Sequence, residues 1–327
     1  MNPYFAVRKV VQGVSLVVLM TVVFFVIFRL MPGNPADLFL FGARNHGATP
    51  GELQAIEAQL GLQGGKWSLS GFLTYMKDMF TFNFGFDYYN QASVWGVISA
   101  AMPYTLLLLG TAAVISWAAG IPLGVVSIWT RGKKSEGVLV TTGLVLNSFP
   151  YFILAVLLFL YFAVYFRLAP VRSVFPWTDV TSPSWPAFVQ IMTAIALPLA
   201  TLTVIGIAAH LLTMRASMVS VLGEDYITTA RAKGVGEGGI MFRHAARNAM
   251  IPVSTRMALE FALLASGAII TEIIFSYPGI GHLLYQAILN LDYPLIEGTS
   301  FLLALIVIII YSMIDFIHAW LDPRIHI

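Results

Sequence analysis

Six stretches of the chain are apolar almost throughout: about 10–31, 103–130, 138–166, 190–214, 253–276 and 300–320. A bilayer core about 30 Å thick needs about 20 such residues per helix, so each stretch predicts a membrane-spanning helix. Two polar segments, "RGKKSEG" (131–137) and 215–252, alternate with the segments 32–102, 167–189 and 277–299. The pattern divides the chain into 1–31, an N-terminus and first helix; 32–102, the one connecting segment large enough to fold on its own; and 103–327, a five-helix core that contains 215–252.

Charge orients the helices, because short cytoplasmic loops retain Lys and Arg. With the N-terminus inside, twelve of these residues fall on the cytoplasmic side: Arg8, Lys9, Arg131, Lys133, Lys134, Arg215, Arg231, Lys233, Arg243, Arg247, Arg256 and Arg324. Six fall outside, three of them in the long segment 32–102 where the rule is weak. The expectation is an all-α membrane protein with six transmembrane helices, N-terminus and C-terminus in, and an extracytoplasmic 32–102.

Within the spans, Pro122, Pro150 and Pro198 each remove a backbone hydrogen bond, tolerable where neighbouring helices or water resupply partners. Ser116, Gly120 and Gly124 form a ridge of small residues at four-residue spacing, suited to close packing within the chain or to a seam with another subunit. The ionisable groups inside spans are His210, Glu260, Glu272 and Asp315. Proton-coupled carriers line a path with such groups; here no acid occurs in the first four spans. His210 and Asp315 read as structural hydrogen bonds or headgroup contacts.

Composition agrees: 58% of the residues are hydrophobic and 10% charged, against about a quarter charged in an ordinary soluble domain. A net charge of +2 spread along the chain excludes a general nucleic-acid footprint. Cysteine is absent, which removes disulfides, thiol nucleophiles and Cys-ligated metals together. The first apolar run is longer than a signal-peptide core and lacks a closely following small-residue cleavage site, so it reads as a retained span.

The stretch "ARAKGVGEGG" (230–239) matches a dinucleotide fingerprint in Gly234, Gly236 and Gly239. That loop works only between a strand and a helix. The preceding "GEDYITTARAKG" instead reads as a short helix. Glu224 and Asp225 favour its positive N-terminus, Arg231 and Lys233 its C-terminal end, and Gly234 sits where a left-handed cap belongs. No Trp, Phe or Leu occurs between Glu224 and Gly234, against the reading of a helix lying on lipid. A protruding helix with small Ala230 and Ala232 is built to press into a cleft of a soluble partner.

The run "EDYITTARAKGVGEGGIMFRHAARNAMIP" (224–252) closely resembles the cytoplasmic signature of permease subunits of ABC importers, in the version of the dipeptide, oligopeptide and nickel group. Its pattern corresponds here to Glu224, Tyr226, Ala230 to Gly234, Arg243 to Ala245, Arg247 to Ala249 and Pro252. "MPGNPAD" (31–37), "TEIIFSYPGIGHLL" (271–284), "DYPLIEG" (292–298) and "DFIHAWLDPRI" (315–325) add to it, so the resemblance spans nearly the whole chain.

The resemblance implies a type I ABC importer permease fold in the inner or plasma membrane of a prokaryote. It also implies a second homologous permease, two cytoplasmic ATPase subunits and an extracytoplasmic substrate-binding protein, for which 32–102 is the docking surface. Glu224, Asp225, Thr228, Thr229, Ala230, Arg231, Ala232, Lys233 and Gly234 would couple to the ATPase. Arg243, His244, Arg247, Asn248 and Pro252 would shape the coupling loop. Two departures stand out: Thr228-Thr229-Ala230 replaces the Glu-Ala-Ala of the wider group, leaving Glu224 or Asp225 to supply any acid, and "GVGEGG" reads as a flexible connection. No Walker A spacing is present, so ATP and Mg would be held by the partner subunits, with no cofactor in this chain. Peptides, opines, oligosaccharides and nickel remain open as substrates. The six dispersed histidines have no metal-ligand spacing, and the aromatic run at 72–95 reads as an interfacial belt or a sugar platform. A secondary transporter or a polytopic membrane enzyme are the alternatives, without the coupling-ion sites or the catalytic motif each would need.

Overall fold

The computed structural model describes residues 3–30, 49–51, 69–87, 89–182 and 184–321. The "MPGNPAD" stretch, much of 32–68 and the side chains of Glu260 and Asp315 lie outside the described residues, as does the end of "DFIHAWLDPRI". Each of the six apolar stretches is helical over most of its length. The helices are α1 (Pro3–Leu30), α2 (Leu69–Phe80), α3 (Val94–Trp129), α4 (Lys134–Ser148), α5 (Tyr151–Leu158), α6 (Thr178–Thr181), α7 (Trp185–Leu222), α8 (Asp225–Ala232), α9 (Ala246–Ile274), α10 (Ile280–Leu289) and α11 (Tyr293–Leu321). A two-stranded antiparallel hairpin, β1 (Phe86–Asp87) and β2 (Ala92–Ser93), precedes α3. Among the described residues, four helices are long and apolar enough to cross a membrane, or five if α4 and the helix after it count as one span.

The third apolar stretch departs from the expected single helix. α4 and the segment Tyr151–Tyr165 meet at 94°. Pro150 clashes with a helical predecessor, and Phe149 accordingly adopts extended angles, φ −73° and ψ 128°. Pro150 itself has ψ 127°, so two consecutive residues leave the helix. Beyond α5 the chain winds as a π-helix over Phe159–Tyr165.

Two compact units divide the described chain: residues of Met1–Pro103 with Gly279–Asp315, and residues of Tyr104–Pro278 with Phe316–Ile325. The first is built on Phe25, Phe84, Val94, Ile98, Ile280, Leu295 and Phe301. A Cβ at Gly298 would come within 2.9 Å of Val94 and 3.0 Å of Phe84, so only glycine lets α11 approach the hairpin segment this closely.

In the second unit the small-residue ridge of α3 packs within the chain. A Cβ at Gly120 would lie 2.7 Å from the Ile207 carbonyl, and one at Gly124 2.8 Å from the Leu211 carbonyl, both on α7. Those are backbone atoms, which cannot swing aside. His210 is fully buried, edge-on to Trp117. The far end of α9 is pinned as well: Thr105 donates to Glu272 at 2.7 Å, the Tyr277 hydroxyl to the Tyr104 carbonyl at 2.8 Å, and the Tyr104 hydroxyl to the Phe175 carbonyl at 3.1 Å. Burial raises the Tyr277 hydroxyl's pKa, keeping it a donor. Glu272 thus serves as a buried hydrogen-bond acceptor between two helices.

Candidate functional site

The polar segment 215–252 is organised by α8, and α8 is organised by one glycine. Gly234 has φ +78°, its N–H bonds the Arg231 carbonyl at 2.9 Å, and the Val235 N–H bonds the Ala230 carbonyl at 3.2 Å. This is the paired bonding of a Schellman cap, and only glycine enters that conformation without strain. At the other end Glu224 is the N-cap residue, extended and exposed, and its side chain makes no cap bond. Asp225 occupies the first turn. Both acids lie at the end of the helix where its dipole favours negative charge.

A helix of eight residues is too short to persist by itself, so packing must hold it. Ile227 is fully buried and Ala230 is 9% exposed. Ile227 joins a cluster with Val125 and Ile128 of α3, Met214 and Met218 of α7, and Ile240, Met241, Ala245, Ala249 and Val253. Thr228, Thr229, Arg231, Ala232 and Lys233 are exposed. The two alanines expected to admit a partner thus have opposite fates. Ala230 faces the chain's own interior, and Ala232 lies open.

Beyond Gly234 the connection is shorter than "GVGEGG" suggests. Only Val235 and Gly236 separate the cap from a helical turn at Glu237–Gly239. Glu237 opens that turn, where the positive helix end favours an acid, and its carboxylate takes two bonds from Arg231, at 3.0 and 3.4 Å. A paired guanidinium lies against the turn from outside, and the part of the connection without regular structure is Val235 and Gly236.

The turn continues as a π-helix, Ile240–Ala245, and then as α9. Met241, Ala245, Ala249 and Val253, four residues apart, are all buried, as neighbours on one helical face are. Arg243 and Arg247 are exposed and His244 half-buried. Asn248 donates its amide to the Tyr226 hydroxyl at 2.6 Å, tying α9 to α8. Pro252 lies inside α9 and supplies no N–H to the Asn248 carbonyl one turn earlier. The other polar segment is anchored too: Arg215, near the end of α7, bonds Glu136 at 2.6 Å, and Glu136 also accepts the Gly132 N–H at 2.7 Å.

The sequence-derived residues thus form one surface feature: a capped helix, inward at Ile227 and Ala230, outward at Thr228, Thr229 and Ala232. The Tyr226–Asn248 bond and the Arg231–Glu237 brace escaped sequence reasoning. The first joins residues 22 positions apart and the second residues six apart across a glycine connection, so no helical spacing announces either. Nothing here resembles a nucleotide loop, since a helix rather than a strand precedes Gly234.

Comparison with known proteins places the chain in a family. Residues 120–327 match the family described as binding-protein-dependent transport system inner membrane component, and residues 3–109 match the N-terminal region of such membrane components. A probable peptide ABC transporter permease of Sinorhizobium fredii is 30% identical over 321 residues, 98% of each chain. The dipeptide transport system permease of Alkalihalophilus pseudofirmus is 31% identical over 338 residues, again 98% of each chain. A putative peptide transport system permease of Brucella suis is 31% identical over 326 residues and 98% of each chain. The chain belongs to the binding-protein-dependent transport system inner membrane components, the permeases of ABC importers.

Proposed function

We propose that this chain pairs with a second homologous permease to form the path by which peptides cross a prokaryotic inner membrane. An extracytoplasmic binding protein delivers the substrate to the side bearing 32–102. Two cytoplasmic ATPase subunits, holding ATP and Mg, drive the cycle through α8. Six spans with both termini inside are the topology this requires, and the Lys and Arg distribution supports it. Peptides head the substrate list because the relatives named above are called peptide or dipeptide permeases.

The observation that carries the reading is the two-faced α8. Its inner face is fixed to α3, α7 and α9 through Ile227, so a push on its outer face reaches three long helices at once. Thr228, Thr229 and Ala232 offer short side chains there, and Arg231 is held back by Glu237. A cleft can close over such a face.

Reconstituted with its partner subunits, the Ala232→Trp variant should insert and assemble normally. Its ATP hydrolysis should lose stimulation by loaded binding protein, and uptake should fall at least tenfold, about 1.4 kcal/mol of coupling. Normal uptake with normal stimulation would remove α8 from the coupling path.

A further inference from the structure

The hairpin β1–β2 meets the start of α11 through two buried carboxyl groups. Asp87 is fully buried and Asp292 is 2% exposed. Asp87 accepts the Asn90 N–H at 2.8 Å and the Asn90 side-chain amide at 2.6 Å, one on each oxygen. Asp292 spends one oxygen, Oδ1, on the Leu295 N–H at 3.1 Å, as an N-cap does. Its other oxygen, Oδ2, is enclosed and has no hydrogen-bond donor of good geometry among the described residues, while its carboxyl is in hydrogen-bonding contact with that of Asp87. Two enclosed carboxylate oxygens cannot face each other without a positive charge between them.

We infer that Asp87 and Asp292 share one proton, carried on Asp292 Oδ2 and donated to Asp87, and that this proton locks the hairpin to the head of α11. Asn90 already supplies Asp87 with two donors, which leaves Asp292 as the acid that keeps the proton. Burial, then the Asp87 hydrogen bond, push the Asp292 pKa up to about 7; backbone N–H groups of Leu295 and Tyr89 act in the opposite direction, and among the described residues Asp87 is the charged group acting on it. The sign follows. Between the ordinary carboxylate range and about 7 the folded junction binds a proton that the open junction does not, so its stability falls as pH rises through that window. Placed outside the membrane by the topology proposed above, the pair makes the junction, and uptake with it, respond to extracytoplasmic acidity. The turn that presents Asp292 is already strained: Leu291 has φ 54° and Gln91, across in the hairpin, φ 54°. Loss of the lock releases both.

The chain lacks cysteine, so a spin label attached to a cysteine replacing exposed Tyr89 reports on the hairpin alone. In the detergent-solubilised complex, where topology plays no part, the label should be immobile near about pH 6 and mobile near about pH 8, as a site titrating near 7 passes from about nine-tenths to about one-tenth protonated. Asp292→Asn, which keeps both an acceptor for Leu295 and a donor for Asp87, should hold the label immobile throughout. Asp87→Asn removes the neighbouring charge and should move the midpoint downward. Sealed vesicles then test sidedness: uptake should follow the extracytoplasmic pH in the unmodified complex and become flat in Asp292→Asn. A label whose mobility ignores pH, or keeps its midpoint in both variants, overturns the shared proton while leaving the permease assignment intact. A midpoint set by calcium concentration rather than pH overturns it too, in favour of a bound divalent cation.

Discussion

Two positions along an α-helix amount to about 200° of rotation, and that rotation separates Ala230, 9% exposed, from Ala232, which is open. Sequence alone gives the two alanines the same role, because size is legible and direction is not. Direction comes from Ile227, whose burial against Met214, Met218 and Val253 fixes which face turns inward. Ala230→Trp should therefore destabilise the permease by about 1–3 kcal/mol through overpacking. Ala232→Trp should leave its stability within about 0.5 kcal/mol. Thermal unfolding of the two purified variants compares them directly; equal losses would mean that α8 does not sit on its own helices.

At the scale of elements, the glycines sort by what lies opposite. Gly120 and Gly124 on α3 meet α7 backbone, so Gly120→Val should lower the thermal midpoint and disturb assembly at least as much as a large core substitution, at about 3 kcal/mol or more. Gly238, whose Cβ would find Trp129 at an ordinary 3.8 Å, should accept alanine with a gain of about 0.5–1 kcal/mol and unchanged uptake. A loss at Gly238 together with tolerance at Gly120 would reverse the assignment of tight and open faces. Much of this level could be read from the chain: six apolar runs give six helical stretches, and charged residues followed by Gly234 mark the cap of α8. Other parts could not. Pro150 announces a break but not a 94° bend, because the angle depends on Phe149 and Pro150 both turning extended. The π-turn at Ile240–Ala245 shifts helical register without a sequence mark, and the Arg231–Glu237 brace spans a glycine connection that has no periodicity to read.

For the whole molecule, a short helix of fixed orientation is packed through Ile227 against long apolar helices, and in the function proposed above it would connect them to a soluble motor. Residues of 215–252 and of the ends of α3 and α7 share one buried cluster, so a movement of α8 would be felt by all of them. The measurement that reaches this most directly uses the cysteine-free chain. A photo-reactive group placed on cysteine at Ala232, at Thr228 and, as the inward control, at Ala230 is activated in the assembled complex. Crosslinks to the ATPase subunit should form from positions 232 and 228 and be lacking from 230. Crosslinks from 230 alone, or from none of the three while Gly236 is labelled from outside the cell, would contradict both the coupling role of α8 and the orientation of the chain.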